Sequence, residues 1–172
     1  MKRIRPSLEM AACAIPRPSG MVKICVRCEN RIVAEIDGRN LFVNAGLPAL
    51  ASLLGGDTAG QYASAVGFGS GSTAPTVNDS GLTAPAYYKA LDSHAENGTT
   101  PGPGSVQFNW SLTGSDSGAM GLVIQELGLF ANPTGVTLPG ANSPTILLAR
   151  KTIAPITFGA GMSLSGTWTL TF

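Results

Sequence analysis

The 172-residue chain has one imidazole, His94, and it stands in the run Asp92-Ser93-His94, whose residue types are those of acyl-transfer triads. Adjacent residues rarely point at one another. No Gly-x-Ser-x-Gly elbow occurs, since Phe68-Gly69-Ser70 lacks the first glycine, so His94 reads as a surface-loop side chain. The run Gly67-Phe68-Gly69-Ser70-Gly71 suggests a phosphate cradle, but Ser72 stands where a third glycine is wanted. Pro75 argues against the helix that must follow, and no Gly-Lys-Ser or Gly-Lys-Thr is present. These glycines read more simply as a backbone turning out of a strand.

Paired carboxylates could cleave a glycoside, and Asp79, Asp92, Glu96, Asp116 and Glu126 are the candidates. All but Glu126 fall in loop-like sequence. Glu126 lies within a mostly apolar strand, where a carboxylate is costly unless paired, and Arg150 in a neighbouring strand is its expected partner. The pair reads as a structural ion pair. Cys25-x-x-Cys28 is half of a zinc pattern, Cys13 makes the cysteine count odd, and His94 is too remote to help. The two cysteines are expected as small, partly buried residues near a hairpin turn. Three Asn-x-Ser/Thr triplets, at Asn78, Asn97 and Asn109, are of the kind that Ser/Thr-rich chains contain by chance. No catalytic, cofactor or metal site emerges.

Length points to one domain. Charged residues make up 12 % of the chain, against about 25 % in an average soluble domain. No stretch approaches the ~18 to 20 apolar residues of a spanning helix. The basic start at Lys2, Arg3 and Arg5 is followed by Glu9 and by Pro16-Arg17-Pro18, which argues against a secretory signal. Residues 1–40 carry eight Lys/Arg and four Asp/Glu, a net +4; the remainder carries three and six, a net −3. With no basic stripe interleaved with aromatics, this asymmetry favours a partner-facing arm over nucleic-acid binding.

Residues 1–20, with three prolines and no sustained period, are expected as an extended N-terminal arm ahead of a single β-rich domain over 21–172. Val22, Ile24 and Val26, a turn near Glu29 and Asn30, and then Ile32, Ala34 and Ile36 form a hairpin, closed at its far end by Asp37-Gly38. Leu47, Leu50, Ala51, Leu53 and Leu54 share a helical face that Asn44 can cap and Gly55-Gly56 ends, so a short helix over 46–54 should lie over an end or edge. Tyr62 to Gly69 is strand-like, and residues 70–104 should be mostly loop. Val106, Phe108, Trp110 and Leu112 alternate strictly, as do Leu164, Trp168, Leu170 and Phe172, with strand-like Gly121–Phe130 and Thr145–Thr152 between them.

The expected fold is mainly β: an antiparallel β-sandwich with one short helix, and Phe108, Trp110, Leu127, Phe130, Trp168, Leu170 and Phe172 in its core. The polar faces of the Trp-bearing strands are Ser, Thr, Asn and Gln rather than Lys or Glu. Such a neutral face suits packing against another subunit.

The order of Asn44-Ala45-Gly46-Leu47 through Leu54, Ala65-Val66-Gly67-Phe68-Gly69-Ser70-Gly71-Ser72-Thr73-Ala74-Pro75, Asp79 and Leu82, Gln125-Glu126-Leu127-Gly128-Leu129-Phe130, Leu147-Leu148-Ala149-Arg150 and the terminal strand resembles small tail and baseplate proteins of tailed bacteriophages. The resemblance covers residues 41–172. It implies a non-enzymatic subunit of a phage particle, assembled in the host cytoplasm, whose partners are copies of itself and other virion proteins. No cofactor, membrane or small-molecule substrate is implied. A capsid decoration or cement protein is the alternative in the same class, and a carbohydrate-binding β-sandwich module is the alternative in another. In the assembly reading Arg3, Ile4, Arg5, Leu8 and Ile15 of the arm dock on a neighbour and become ordered there.

Overall fold

The computed structural model describes residues 17–98, 104–131, 138–141 and 146–172. In chain order these residues form β1 (Ser19–Cys28), β2 (Arg31–Phe42), helix α1 (Leu47–Leu54), β3 (Ala63–Gly69), β4 (Pro85–Ala90), β5 (Ser93–Asn97), β6 (Ser105–Leu112), β7 (Val123–Ala131), β8 (Ile146–Thr157) and β9 (Met162–Thr171). The expected arm residues Arg3, Ile4, Arg5, Leu8 and Ile15 lie outside the described residues.

The strands make one antiparallel sheet in the order β4-β3-β7-β8-β2-β1-β9-β6-β5, curled into a half-barrel. The expected two-sheet sandwich is therefore corrected, and β2 is the reason. Asp37-Gly38 does not end the first hairpin: β2 runs through it, with Gly38 at a φ of +153° that favours glycine. Residues 31–40 pair with β1, whereas Leu41 and Phe42 pair with Arg150 and Ala149 of β8. One bent strand thus joins what would otherwise be two sheets. The turn at Glu29 and Asn30 falls where expected, both residues taking φ values of +49° and +63° as a two-residue type I′ hairpin requires.

Curling brings the two ends of the sheet face to face. Phe68 of β3, second from one end, packs edge-on against Trp110 of β6, second from the other, with ring centroids 5.3 Å apart. Val22, Ile24 and Val26 of β1, Leu164, Trp168 and Leu170 of β9, and Leu127 and Leu129 of β7 complete this core. Gly166 lies opposite Trp110 in the β6–β9 register, and a side chain on it would collide with the indole ring. Of the expected core, Phe172 is corrected: it is 58 % exposed, because it follows the last residue of β9 and projects past the sheet.

The described part of residues 70–104 is mostly loop, as expected, with two short strands, β4 and β5, that stand at the two ends of the sheet. Helix α1 starts one residue later than expected, with Gly46 rather than Asn44 at its N-cap, and Ala49 anchors it to the core. Asn44 instead sits in a short 3₁₀ turn and donates from its side-chain amide to Asn78.

On its outer face the β4-β3-β7-β8 half carries a second apolar layer of Ala65, Tyr88, Phe130 and Leu147, covered by Val43 and Leu82. Burial on both faces explains why β3 and β7 are nearly continuous apolar and glycine runs. Gly67 is part of this packing: its absent Cβ would stand 2.6 Å from the Tyr88 ring and 2.8 Å from that of Phe130. Replacing Gly166 by Ala should overpack the Trp110 contact and cost about 1–3 kcal/mol. Urea denaturation compared with Ser165→Ala on the opposite face tests this, equal stabilities for the two variants counting against the packing account.

Candidate functional site

Glu126 and Arg150 both lie on the outer face of the β7–β8 ladder, where Glu126 is opposite Thr152 and Arg150 is opposite Gly128. They are diagonal neighbours, within reach of long side chains. Arg150 Nη2 is 2.6 Å and Nε 2.9 Å from Glu126 Oε2, and the two residues are 1 % and 0 % exposed. The charges expected to pair are therefore brought together and sealed from water.

The seal is the chain between β3 and β4. It crosses the pair and donates three backbone amides to the Glu126 carboxylate: Gly71 at 3.1 Å, Thr83 at 3.0 Å and Ala84 at 2.7 Å. Arg150 reaches into the same segment, donating to the Thr73 carbonyl, the Thr83 hydroxyl and Asp79 Oδ2, the last at 2.8 Å. The cluster is a triad of two carboxylates and one guanidinium. Glycine permits it: a Cβ on Gly69 would lie 2.7 Å from Glu126 Oε1, and one on Gly71 would collide with the same oxygen. The Gly67–Gly71 run thus makes room for a buried carboxylate and for aromatic rings.

Asp79 was a candidate carboxylate in the sequence, but its partner was not legible there. Its only local signal is Thr76 three residues earlier, whose amide and hydroxyl both donate to it. Burial pushes the Asp79 carboxyl up, but the Thr76 and Arg150 hydrogen bonds outweigh this and hold it below the usual carboxylate range. Burial likewise lowers the affinity of Arg150 for its proton, and Asp79 and Glu126 more than reverse the effect.

A second cluster joins β4 to the β6–β7 connection. Lys89 Nζ is 3.0 Å from Asp116 Oδ2, Tyr87 donates its hydroxyl to Asp116 Oδ1 at 3.2 Å, and the Thr113 amide donates at 2.9 Å. Asp116 is raised by burial but brought below its ordinary value by Thr113, Lys89 and Tyr87. Tyr87 is pushed up to about 12 by burial and by the Asp116 charge.

Of the remaining candidates, Asp92, Ser93, His94 and Glu96 border one open cleft, but Ser93 and His94 do not face each other. Strand alternation sends Ser93, opposite Asn109, and His94, opposite Phe108, to different faces of β5. Ser93 instead accepts from Asn109, and Asp92 accepts from Ser111. His94 and Glu96 stand with Tyr62, Leu53, Phe108 and Phe172 on an open cleft of about 600 Å³ beside α1. Cys25 and Cys28 are free and half-buried, and no group of three metal-ligating side chains occurs among the described residues. Comparison with protein families, with curated proteins and with solved structures finds no match for this chain.

The triad, with Glu126 and Arg150 buried and Asp79 at its rim, is arranged to hold a loop on a sheet. Replacing Arg150 by Met leaves two carboxylates without their cation and should cost about 3–5 kcal/mol at neutral pH. Adding Glu126→Leu should not restore wild-type stability, because the amides of Gly71, Thr83 and Ala84 then lose their acceptor, at about 1–3 kcal/mol each. Urea denaturation of both variants decides the matter; a double variant as stable as the wild type would show that the amide contacts contribute nothing. The two clusters also contribute to the pH dependence of stability. Near pH 4 the unfolded chain binds protons that folded Asp79 and Asp116 do not, so their contribution, complete above the unfolded aspartate value of about 3.9, is lost as pH falls below it. Folded Tyr87 holds its proton longer than the unfolded chain, so its contribution is complete below about pH 10 and disappears as pH rises through its raised value. Thermal midpoints across pH should therefore fall at both extremes, and Tyr87→Phe should flatten part of the alkaline fall.

Proposed function

We infer that this protein is a non-enzymatic structural subunit of a bacteriophage particle, a tail or baseplate component that acts through protein–protein assembly. The observation that carries the reading is the outer face of β1, β9 and β6. Across these strands Gln107 lies beside Thr169, Asn109 beside Thr167, and Ser111 beside Ser165, a neutral hydroxyl and amide surface with Lys23 and Arg27 only at its β1 margin. Water-facing sheets commonly carry charge to stay apart from one another, and β9 and β6 themselves carry none. It suits the polar, partly wetted contacts of a subunit packed among others.

The order of motifs from Asn44 to Phe172 supports the phage assignment within that class. A capsid decoration protein would present the same surface. Carbohydrate binding rested on tryptophans available for stacking, and Trp110 and Trp168 are 1 % and 0 % exposed, which removes that support. β1 begins at Ser19, which pairs with Thr171 at the end of β9, so the expected arm is shorter by Ser19 and Gly20 and would join the sheet at this rim.

Deleting residues 2–18 should leave the circular dichroism and thermal midpoint of the β domain nearly unchanged while reducing its incorporation into particles. Mass spectrometry and image reconstruction of purified particles read this out and distinguish tail, baseplate and capsid surface. Absence of the full-length chain from particles would overturn the reading.

A further inference from the structure

Strand β5 ends the sheet and pairs only with β6, so the backbone on its other side has no strand partner among the described residues. Ser93 and His94 belong to different faces of β5, yet both line the open cleft beside α1, so the cleft runs along this free edge. Its apolar lining comes from Leu50 and Leu53 of α1, Phe108 of β6 and Leu170 of β9. Tyr62 and Phe172 border it and are 55 % and 58 % exposed. Ser64 Oγ, also at the cleft, is buried without a hydrogen-bond partner among the described residues. An apolar trough beside an unpaired strand edge fits an extended segment, which pairs its backbone with the edge and sets side chains into the trough.

The chain ahead of β1 has the chemistry of such a segment. Residues 1–18 carry Lys2, Arg3, Arg5 and Arg17 against Glu9, a net +3, whereas the cleft is lined by Asp92 and Glu96 and by no Lys or Arg. Between Pro6 and Pro16, residues 7–15 are free of proline and include Leu8, Met10 and Ile15. The point of departure also fits. Ser19, Thr171, Ser105 and Asn97 form one row across the ends of β1, β9, β6 and β5, so the arm leaves from the rim at which Phe172 borders the cleft. Pro16 and Pro18 favour extended backbone at Ile15 and Arg17, the residues before them, which carries the chain outward from this rim instead of back over its own sheet.

We propose that two copies of this chain exchange arms, residues 7–15 of each lying along the β5 edge of the other and filling the cleft beside its α1. The proposal rests on the assembly reading and names the surface on which the arm docks.

The full chain tests it. Leu8→Asp in the arm and Phe172→Ser at the cleft should each weaken dimerisation at least about tenfold in sedimentation analysis, because each removes apolar surface that the exchange buries. Glu96→Lys should weaken it about threefold, as loss of an exposed attraction does. Unchanged thermal midpoints would show that these variants are folded. With the photoreactive p-benzoylphenylalanine in place of Leu8, and isotopically light and heavy chains mixed, irradiation should join light to heavy chains at residues 50–64, 91–96 or 172. Crosslinks confined to single chains, or joining two chains outside the cleft, would overturn the exchange and leave the assembly reading standing. A chain that stays monomeric throughout a concentration series would overturn it too, and only absence from particles would overturn the assembly reading as well.

Discussion

A carboxylate and a guanidinium removed from water cost several kcal/mol each unless geometry and hydrogen bonding compensate them. Glu126 and Arg150 meet that constraint by recruiting the segment between β3 and β4: three of its amides turn to Glu126, while Thr73, Asp79 and Thr83 turn to Arg150. Much else follows from this. The segment can approach only because Gly69 and Gly71 present no side chain to the Glu126 carboxylate. Once in place it carries Leu82 onto the outer apolar layer and lets the Val77 carbonyl accept from the Asn44 amide, which fixes the entry to α1. The ion pair organises chain that has almost no regular structure of its own.

The curl of the sheet is the second constraint. An antiparallel sheet with one apolar face must cover it, and here the sheet covers itself, the Phe68–Trp110 contact closing the concave side. The Lys89–Asp116–Tyr87 cluster works in the same sense, tying the edge strand β4 to the connection that leaves β6. Bending is concentrated in β2, which belongs to β1 along most of its length and to β8 at its end. The cost of that arrangement is an edge: where β2 and β8 diverge, a run of backbone donors and acceptors has no strand partner among the described residues.

These two features leave the exterior in three parts with different chemistry. The β3-β7-β8 side is covered by its own loop and anchored by a buried charge cluster. The β1-β9-β6 side is a neutral hydroxyl surface. Between them lies β2, bulged at Val33 where its register with β1 shifts.

Strict alternation made β1, β6 and β9 legible in the sequence, because a sheet with one buried face writes period two into the chain. The apolar setting of Glu126 likewise demanded a partner, and Arg150 was the one available in a neighbouring strand. Other elements had no such signal. Ser93–Asn97 contains almost nothing apolar and is a strand only because β6 offers it hydrogen bonds; Asp37-Gly38 reads as a turn locally, yet pairing with β8 a few residues later keeps the chain extended. Asp79 lies 71 residues from Arg150 along the chain, and nothing within its own neighbourhood indicates the contact. The sequence by itself determined which residues avoid water and with what period, since those are properties of side chains and their immediate neighbours. Whether the faces so defined would close as two sheets or as one curled sheet was decided by tertiary structure alone, because it depends on which distant strands share hydrogen bonds.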